Sequence, residues 1–192
     1  LASTYDQGEA KVAPGVSMRH VKLFMDGIIY APADTGAMLT PYLHNAGSEQ
    51  APNWAPGKNR GELYFSQQVL NPLLLKAVQA GLVPHLHATG DRAVRDSLNG
   101  IEYVRQQLPG NPFRPAITHA ESVDPADYGR FKALDVTANM SFQWAQQAPS
   151  TVDGTSDHLG AERFSRMEPS GSIARAGGRV AYGSDWPVDP LD

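Results

Sequence analysis

Five short apolar runs alternate with four helical patterns along this chain of 192 residues. The runs, at residues 18–25, 82–88, 115–120, 136–142 and 179–184, have the length and composition of strands. Helices are expected at 67–80, at about 92–108 and at 125–134. A weaker one spans 161–176, broken at Pro169 and Gly171. The boundaries carry their own chemistry. Ser66, Asp91 and Asp124 are N-cap types, and Gly81 and Pro109-Gly110 are stops. Strict alternation of this kind builds βαβ units and therefore a parallel sheet. Residues 1–17 are expected to be a polar loop leading into the first strand, 31–61 a long loop, and 145–158 a second polar loop.

Two architectures hold five parallel strands. An open doubly wound sheet binds its ligand at a switch point in the strand order. A (β/α)8 barrel gathers its chemistry at the C-terminal ends of all its strands. The chain has no Gly-x-Gly-x-x-Gly and no phosphate loop. It has polar groups at four strand ends: Lys22 in the first, His87 in the second, His119 in the third and Asp185 in the fifth. That distribution favours the barrel, with the long loops lying over its mouth.

The donor types at those ends suit a metal. Side chains alternate along a strand, so His85 and His87 face one way while Leu86 and Ala88 face the other. His87 is read as a ligand. His85 either ligates, fills the interior or orients His87 from behind. His119 ends its strand after Ala116-Ile117, and Asp185 lies in Gly183-Ser-Asp-Trp-Pro187. Two imidazoles and a carboxylate suit zinc and similar ions, and the carboxylate can also accept a proton from metal-bound water. Against this, a single inward His is commonly a core residue and Asp before Trp-Pro is a good turn former. Lys22 read alone is a surface or salt-bridged lysine. Buried beside metals, it could lose its proton and take up carbon dioxide as a bridging carbamate.

Composition narrows the function classes. At 41% hydrophobic, 19% charged and net −4, the chain has a globular balance and no basic cluster for nucleic acid. It has no cysteine, which excludes disulfides, a thiol nucleophile and a Cys-based zinc site. No apolar run reaches the ~18 residues of a membrane span. No signal peptide is visible at Leu1-Ala-Ser-Thr-Tyr-Asp-Gln7. The compartment is not fixed by these facts; the cytoplasm is the expectation.

The chain resembles the amidohydrolase superfamily, specifically amidohydrolase family 3 of the N-substituted formamide deformylase type. The matching stretches are Val21-Lys-Leu-Phe-Met-Asp-Gly27 with Thr35-Gly-Ala37 and Pro41-Tyr42, then His87-Ala-Thr-Gly-Asp-Arg-Ala-Val94 and Thr118-His-Ala-Glu121. Arg130-Phe-Lys132, Met140-Ser-Phe-Gln143 and Tyr182-Gly-Ser-Asp-Trp-Pro-Val188 follow. The resemblance implies a partial TIM barrel in which Lys22 is a carboxylated bridging ligand on the fourth barrel strand. His87 and His119 would be ligands on the fifth and sixth, and Asp185 on the eighth would be both ligand and general base. It implies a binuclear centre in the full-length enzyme, with Zn²⁺ as the expected divalent metal and Fe²⁺, Mn²⁺ or Co²⁺ also fitting. Two departures stand out. Gln143-Trp-Ala-Gln146 replaces the family's frequent Gln-Pro-x-His, and no His-x-His precedes Lys22.

On this mapping residues 1–192 are the C-terminal portion of the barrel domain, strands four to eight. The implied reaction is metal-dependent hydrolysis of a non-peptide carbon–nitrogen bond in a small-molecule amide or formamide. The alternative is a non-catalytic metal-binding or self-associating fragment. Its open sheet edges would offer backbone groups for homo-oligomer contacts, while nucleic acid and membrane are not expected as partners.

Overall fold

A computed structural model describes residues 19–186 and 188. The expected polar loop at 1–17 and Pro187 lie outside the described residues. Five strands form one parallel sheet: β1 (His20–Phe24), β4 (Val83–Ala88), β5 (Ala116–His119), β6 (Thr137–Met140) and β7 (Arg179–Tyr182), in the order β1-β4-β5-β6-β7. Within this sheet neighbouring strands follow one another in chain order, so it has no switch point. It is an arc of an α/β barrel, with β1 and β7 at its edges.

The helices between the strands are α1 (Gln67–Gln79), α2 (Asp91–Gln107), α3 (Tyr128–Ala133) and α7 (Ser170–Arg175). A 3-10 turn at Pro125–Asp127 leads into α3, and Asp124 Oδ1 caps it by accepting from Ala126 N at 2.9 Å. The core lies between these helices and the outer face of the sheet. Leu86 and Ala88 of β4, Ile117 of β5 and Ala138 and Met140 of β6 meet Leu70, Leu74, Val94, Leu98, Ile101, Phe131 and Ile173. Each fully buried side chain of this kind contributes roughly 1.5–3 kcal/mol of transfer free energy. Arg105 in the last turn of α2 ties the base of the sheet. Its guanidinium donates to the carbonyls of Asn111, Phe113 and Leu134 at 2.7–3.2 Å and lies 4.0 Å over the Phe113 ring.

A second, smaller core sits above the C-terminal ends of the strands. Ile29, Met38, Tyr42 and Leu159 bury one another, with Phe164 and Met167 packed against them. It fastens the 28–61 segment to a run of short helices that follows β6.

Several sequence expectations change in detail. The 31–61 loop contains a two-stranded antiparallel ribbon, β2 (Leu43–Asn45) with β3 (Trp54–Pro56). The 145–158 loop contains α4 (Pro149–Val152) and α5 (Thr155–Leu159). The 161–176 segment divides into α6 (Ala161–Phe164) and α7, and Gly171 lies inside α7 instead of breaking it. Ser66 occupies the N-cap of α1 but its hydroxyl makes no capping bond. Gly90, not Asp91, is the N-cap of α2; Asp91 begins the helix and accepts from Leu39 N at 2.7 Å. Among the described residues no helix is long and apolar enough to cross a membrane.

Candidate active site

The inner face of the arc carries the polar side chains that alternation sends away from the helices. His85 and His87 project from β4 on the face opposite Leu86 and Ala88, as the period of two requires. His85 pairs through Nε2 with Thr118 Oγ1 on β5 and does not line the pocket above it. His87 does. Lys22, His87, His119 and Asp185 all line one pocket of about 360 Å³ at the C-terminal ends of the strands. Phe24, Ile28, Tyr30 and Trp144 supply its apolar walls, and Thr89, Glu121 and Ser150 its other polar groups.

His119 reaches this pocket by a backbone detour. In register it pairs with Ala88, whose side chain faces the helices. His119 takes a φ of 74°, Ala120 follows at 49°, and the imidazole turns into the pocket. Asp185 also lies in the left-handed region, at φ 55°. Left-handed non-glycine residues are strained, and such strain gathers at functional sites. The His87 and His119 rings meet edge to face with centroids 4.6 Å apart, and the Phe24 ring lies 4.8 Å from His87.

Both histidines are buried as neutral rings. His87 Nε2 lies 2.8 Å from the Gly27 carbonyl, which can only accept, so Nε2 carries the proton. Nδ1 is left with a lone pair, and it is buried without a hydrogen-bond partner. Burial lowers the His87 pKa, the Gly27 contact partly offsets this, and Lys22 lowers it further. His119 is pushed down to about 3, first by burial and then by His87, Lys22 and His85. Its Nδ1 is also buried without a hydrogen-bond partner, 3.6 Å from Glu121 Oε1. With a neutral imidazole that approach is not an ion pair.

Sequence reading missed three carboxylates. Asp26, read only as the end of β1, is buried against Thr89 of the pocket lining. Glu121 is buried, held well above its usual pKa by desolvation, and has Oε2 unpartnered. Glu168 is raised to about 7 by burial. Its backbone N donates to Glu121 O at 2.8 Å and its Oε1 accepts from the Tyr30 hydroxyl at 3.4 Å. Glu121 stood in a quoted run, Thr118-His-Ala-Glu121, whereas Glu168 beside Pro169 gave no signal.

Lys22 differs from the buried lysine that carbamate chemistry would need. It is exposed on the inner face, with Nζ 4.9 Å from the Phe24 ring centroid. The Gln143–Gln146 segment contributes Trp144, whose ring lies 5.6 Å from Tyr30 and whose Nε1 is buried without a partner. Gln143 itself donates to Ser184 O at 2.9 Å, beside Asp185. Among the described residues no three His, Asp or Glu side chains are gathered closely enough to hold a metal ion. The chemistry of the donor set nevertheless fits one. Two neutral imidazoles offer unpartnered ring nitrogens in a pocket that also holds an aspartate and a lysine amine.

A model of the amidohydrolase family matches residues 5–192. The chain is 27% identical over 179 residues to the exoenzymes regulatory protein AepA of Pectobacterium carotovorum, covering 92% of this chain and 33% of that protein. It is 25% identical over 189 residues to the putative amidohydrolase YtcJ of Bacillus subtilis, covering 98% of this chain and 32% of YtcJ. The chain thus spans about a third of the length of these curated relatives. A crystal structure of an uncharacterized metal-dependent hydrolase from Pyrococcus furiosus superposes with a TM-score of 0.72 at 21% identity, covering all of this chain and 36% of that one. That similarity shows the same fold. With the family model matched along nearly the whole chain, this protein belongs to the amidohydrolase family.

Proposed function

We propose that this chain carries part of the active site of a metal-dependent hydrolase that cleaves the carbon–nitrogen bond of small amides or formamides. One observation carries the reading: His87 and His119, both neutral and each with an unpartnered ring nitrogen, share a pocket with Asp185 and Lys22. His87, His119 and Asp185 would hold the ion, with Zn²⁺ the expected species; Lys22, exposed on the open arc, would join them as a carbamate only where the remaining barrel strands bury its amine. When bound there, a divalent ion would supply Lewis-acid chemistry, polarising a carbonyl and lowering the pKa of water. Asp185 takes the proton from that water and returns it to the leaving nitrogen. Phe24, Ile28, Tyr30 and Trp144 line the pocket with apolar surface, Phe24 and Ile28 remaining about half exposed on the open arc.

The five-stranded arc has two edges, so turnover requires the remaining strands of a closed barrel, and this chain by itself gives little or none. Two measurements test the proposal. Calorimetric titration with Zn²⁺ should show binding that is lost in the His87→Ala/His119→Ala double variant; unchanged binding overturns the ligand assignment. Assay against a panel of N-formyl and N-acyl amines, beside Asp185→Asn, tests the second part. Metal-dependent turnover that vanishes in the variant would show that the arc suffices alone. The unpaired edges also favour a second reading, a metal-binding fragment that self-associates through β1 and β7 without turnover. Concentration-dependent mass in solution with metal binding but no turnover in any longer form would select it.

A further inference from the structure

Behind the pocket residues His87 and Thr89, the carboxylate of Asp26 gathers the loops that follow β1 and β4. Asp26 is 1% exposed. Its Oδ2 accepts from Ala37 N at 2.8 Å and Gly90 N at 2.9 Å, and its Oδ1 from Thr89 N at 3.0 Å. No Lys or Arg pairs with it among the described residues: its titratable neighbour is the neutral His87, Nε2 to Oδ1 at 3.8 Å, which is beyond a hydrogen bond. A carboxylate buried with backbone donors and no cation does not recommend itself as a stabilising device, because its desolvation is costly. What it does is fix positions.

The position it fixes is that of the next peptide. Asp26 is followed by Gly27, whose carbonyl accepts from His87 Nε2 at 2.8 Å and from the Thr89 hydroxyl at 2.9 Å. That hydroxyl has one proton and lies 3.2 Å from Asp26 Oδ2, so the carboxylate and the carbonyl compete for it. A Cβ at Gly27 would fall 2.2 Å from Thr35 Oγ1, so the loop packs too closely here for the peptide to shift freely. The Gly27 carbonyl is therefore held from three sides, and it decides which nitrogen of His87 carries the proton.

We propose that Asp26 is a positioning residue: by clamping Ala37, Thr89 and Gly90, it holds the Gly27 carbonyl against His87 Nε2 and keeps Nδ1 as the ring's lone-pair nitrogen. Asp26 touches neither substrate nor ion in this scheme and acts only through His87. The link to metal binding rests on the function proposed above; the link to the tautomer does not.

The experiment follows from that separation. Nitrogen NMR of the metal-free 192-residue chain reads the protonation of each His87 ring nitrogen directly. The wild-type chain should show a single Nε2–H form. Asp26→Asn should show a mixture of both tautomers, because the amide turns a donor toward a backbone N–H and loosens the clamp. Zn²⁺ affinity should fall about 10–100-fold, the usual effect of removing a group that orients a ligating histidine. Asp91→Asn is the control. It loosens the same loop at Leu39 N without touching Gly27, so it should lower stability and leave the tautomer alone. Thr89→Val removes the second hydrogen bond to the Gly27 carbonyl and serves if Asp26→Asn does not fold; it too should mix the tautomers. A single Nε2–H form in both Asp26→Asn and Thr89→Val overturns the proposal, as does an equal tautomer change in Asp91→Asn. Mixed tautomers in a chain whose wild type binds no Zn²⁺ would instead refute the metal-site reading and leave the clamp standing.

Discussion

Gly90→Ala should be among the most damaging single-methyl additions in this chain, although Gly90 has ordinary backbone angles. Its φ of −83° and ψ of 152° suit any residue, so the whole effect is steric. An added Cβ would stand 2.2 Å from Ala37 O, 2.6 Å from Ala37 C and 2.8 Å from Ala37 N. Ordinary contact begins near 3.4 Å, so the two backbones must separate by about 1 Å. The Ala37 peptide is pinned by Ala37 N to Asp26 Oδ2 at 2.8 Å and by Arg92 N and Ala93 N to Ala37 O at 3.0 and 3.3 Å. A shift of that size breaks these bonds. Buried donors left unsatisfied cost roughly 1–3 kcal/mol each. Water reaching the helix end and the reduced freedom of the unfolded chain offset part of this, leaving a loss of about 3 kcal/mol. Gly81→Ala is the comparison. Its φ of 77° penalises a side chain, yet nothing lies within 4 Å of the added Cβ, so it should cost only about 1 kcal/mol. Urea unfolding of both variants, with unchanged m-values, measures the difference. If Gly90→Ala costs no more than Gly81→Ala, the loop is not docked against the start of α2 as described.

Arg105→Lys should destabilise by about 2 kcal/mol, because an ammonium cannot serve three carbonyls and the Phe113 face together; a midpoint within error of wild type in urea would contradict this. Glu168→Gln should flatten the pH dependence of stability. The folded pKa of Glu168 is raised from 4.5 to about 7, so its contribution is complete below 4.5 and lost as pH rises through 7. Relative to wild type, the variant should gain about 2 kcal/mol between pH 4.5 and pH 8, and parallel unfolding curves at the two pH values would refute that. His119 works in the opposite direction. Depressed from 6.5 to about 3, it withdraws stability as pH falls across that window, and His119→Gln should remove that slope in acid unfolding. Zn²⁺ at 100 times its Kd should raise the stability of the wild-type chain by about 2.7 kcal/mol, and chelation should reverse this; thermal melts with and without chelator read it.

The sheet was legible because its strands announce themselves twice, by apolar runs and by the helical patterns between them. Parallel order and sequential neighbours followed from alternation and from polar residues at the strand ends. The ribbon of β2 and β3 was not legible, since three-residue strands containing Asn45 and Pro56 carry no period. Neither were α4 and α5, which span only about one turn each. Asp91 looked like a cap because capping is local. Its partner Leu39 is 52 residues away, and local pattern contains nothing of that contact. At the site, His87, His119 and Asp185 stand out at strand ends, whereas Lys22 enters through the family resemblance, and how His119 turns was hidden. Its direction depends on one left-handed φ that breaks the alternation the reading relied on. Glu168 was invisible because its shift comes from burial in the folded chain, where it meets Tyr30 and Glu121, neither of which is near it in sequence.

The two separate hydrophobic clusters imply two levels of protection against hydrogen exchange. Amides of β4, β5 and β6 rest on the large cluster and should exchange only on global unfolding. Those of α5 and of the 28–61 segment away from Ala37, which belongs to the large cluster, rest on four buried side chains, Ile29, Met38, Tyr42 and Leu159. That smaller unit can open on its own while the strands stay closed. Tyr30 and Ala31 belong to the opening segment, and Lys22, His87 and His119 to the persistent one. If the 28–61 amides exchange faster than those of β4–β6, opening of that unit would uncover the pocket on the side of Tyr30 and Ala31 while the strand-borne side chains keep their places.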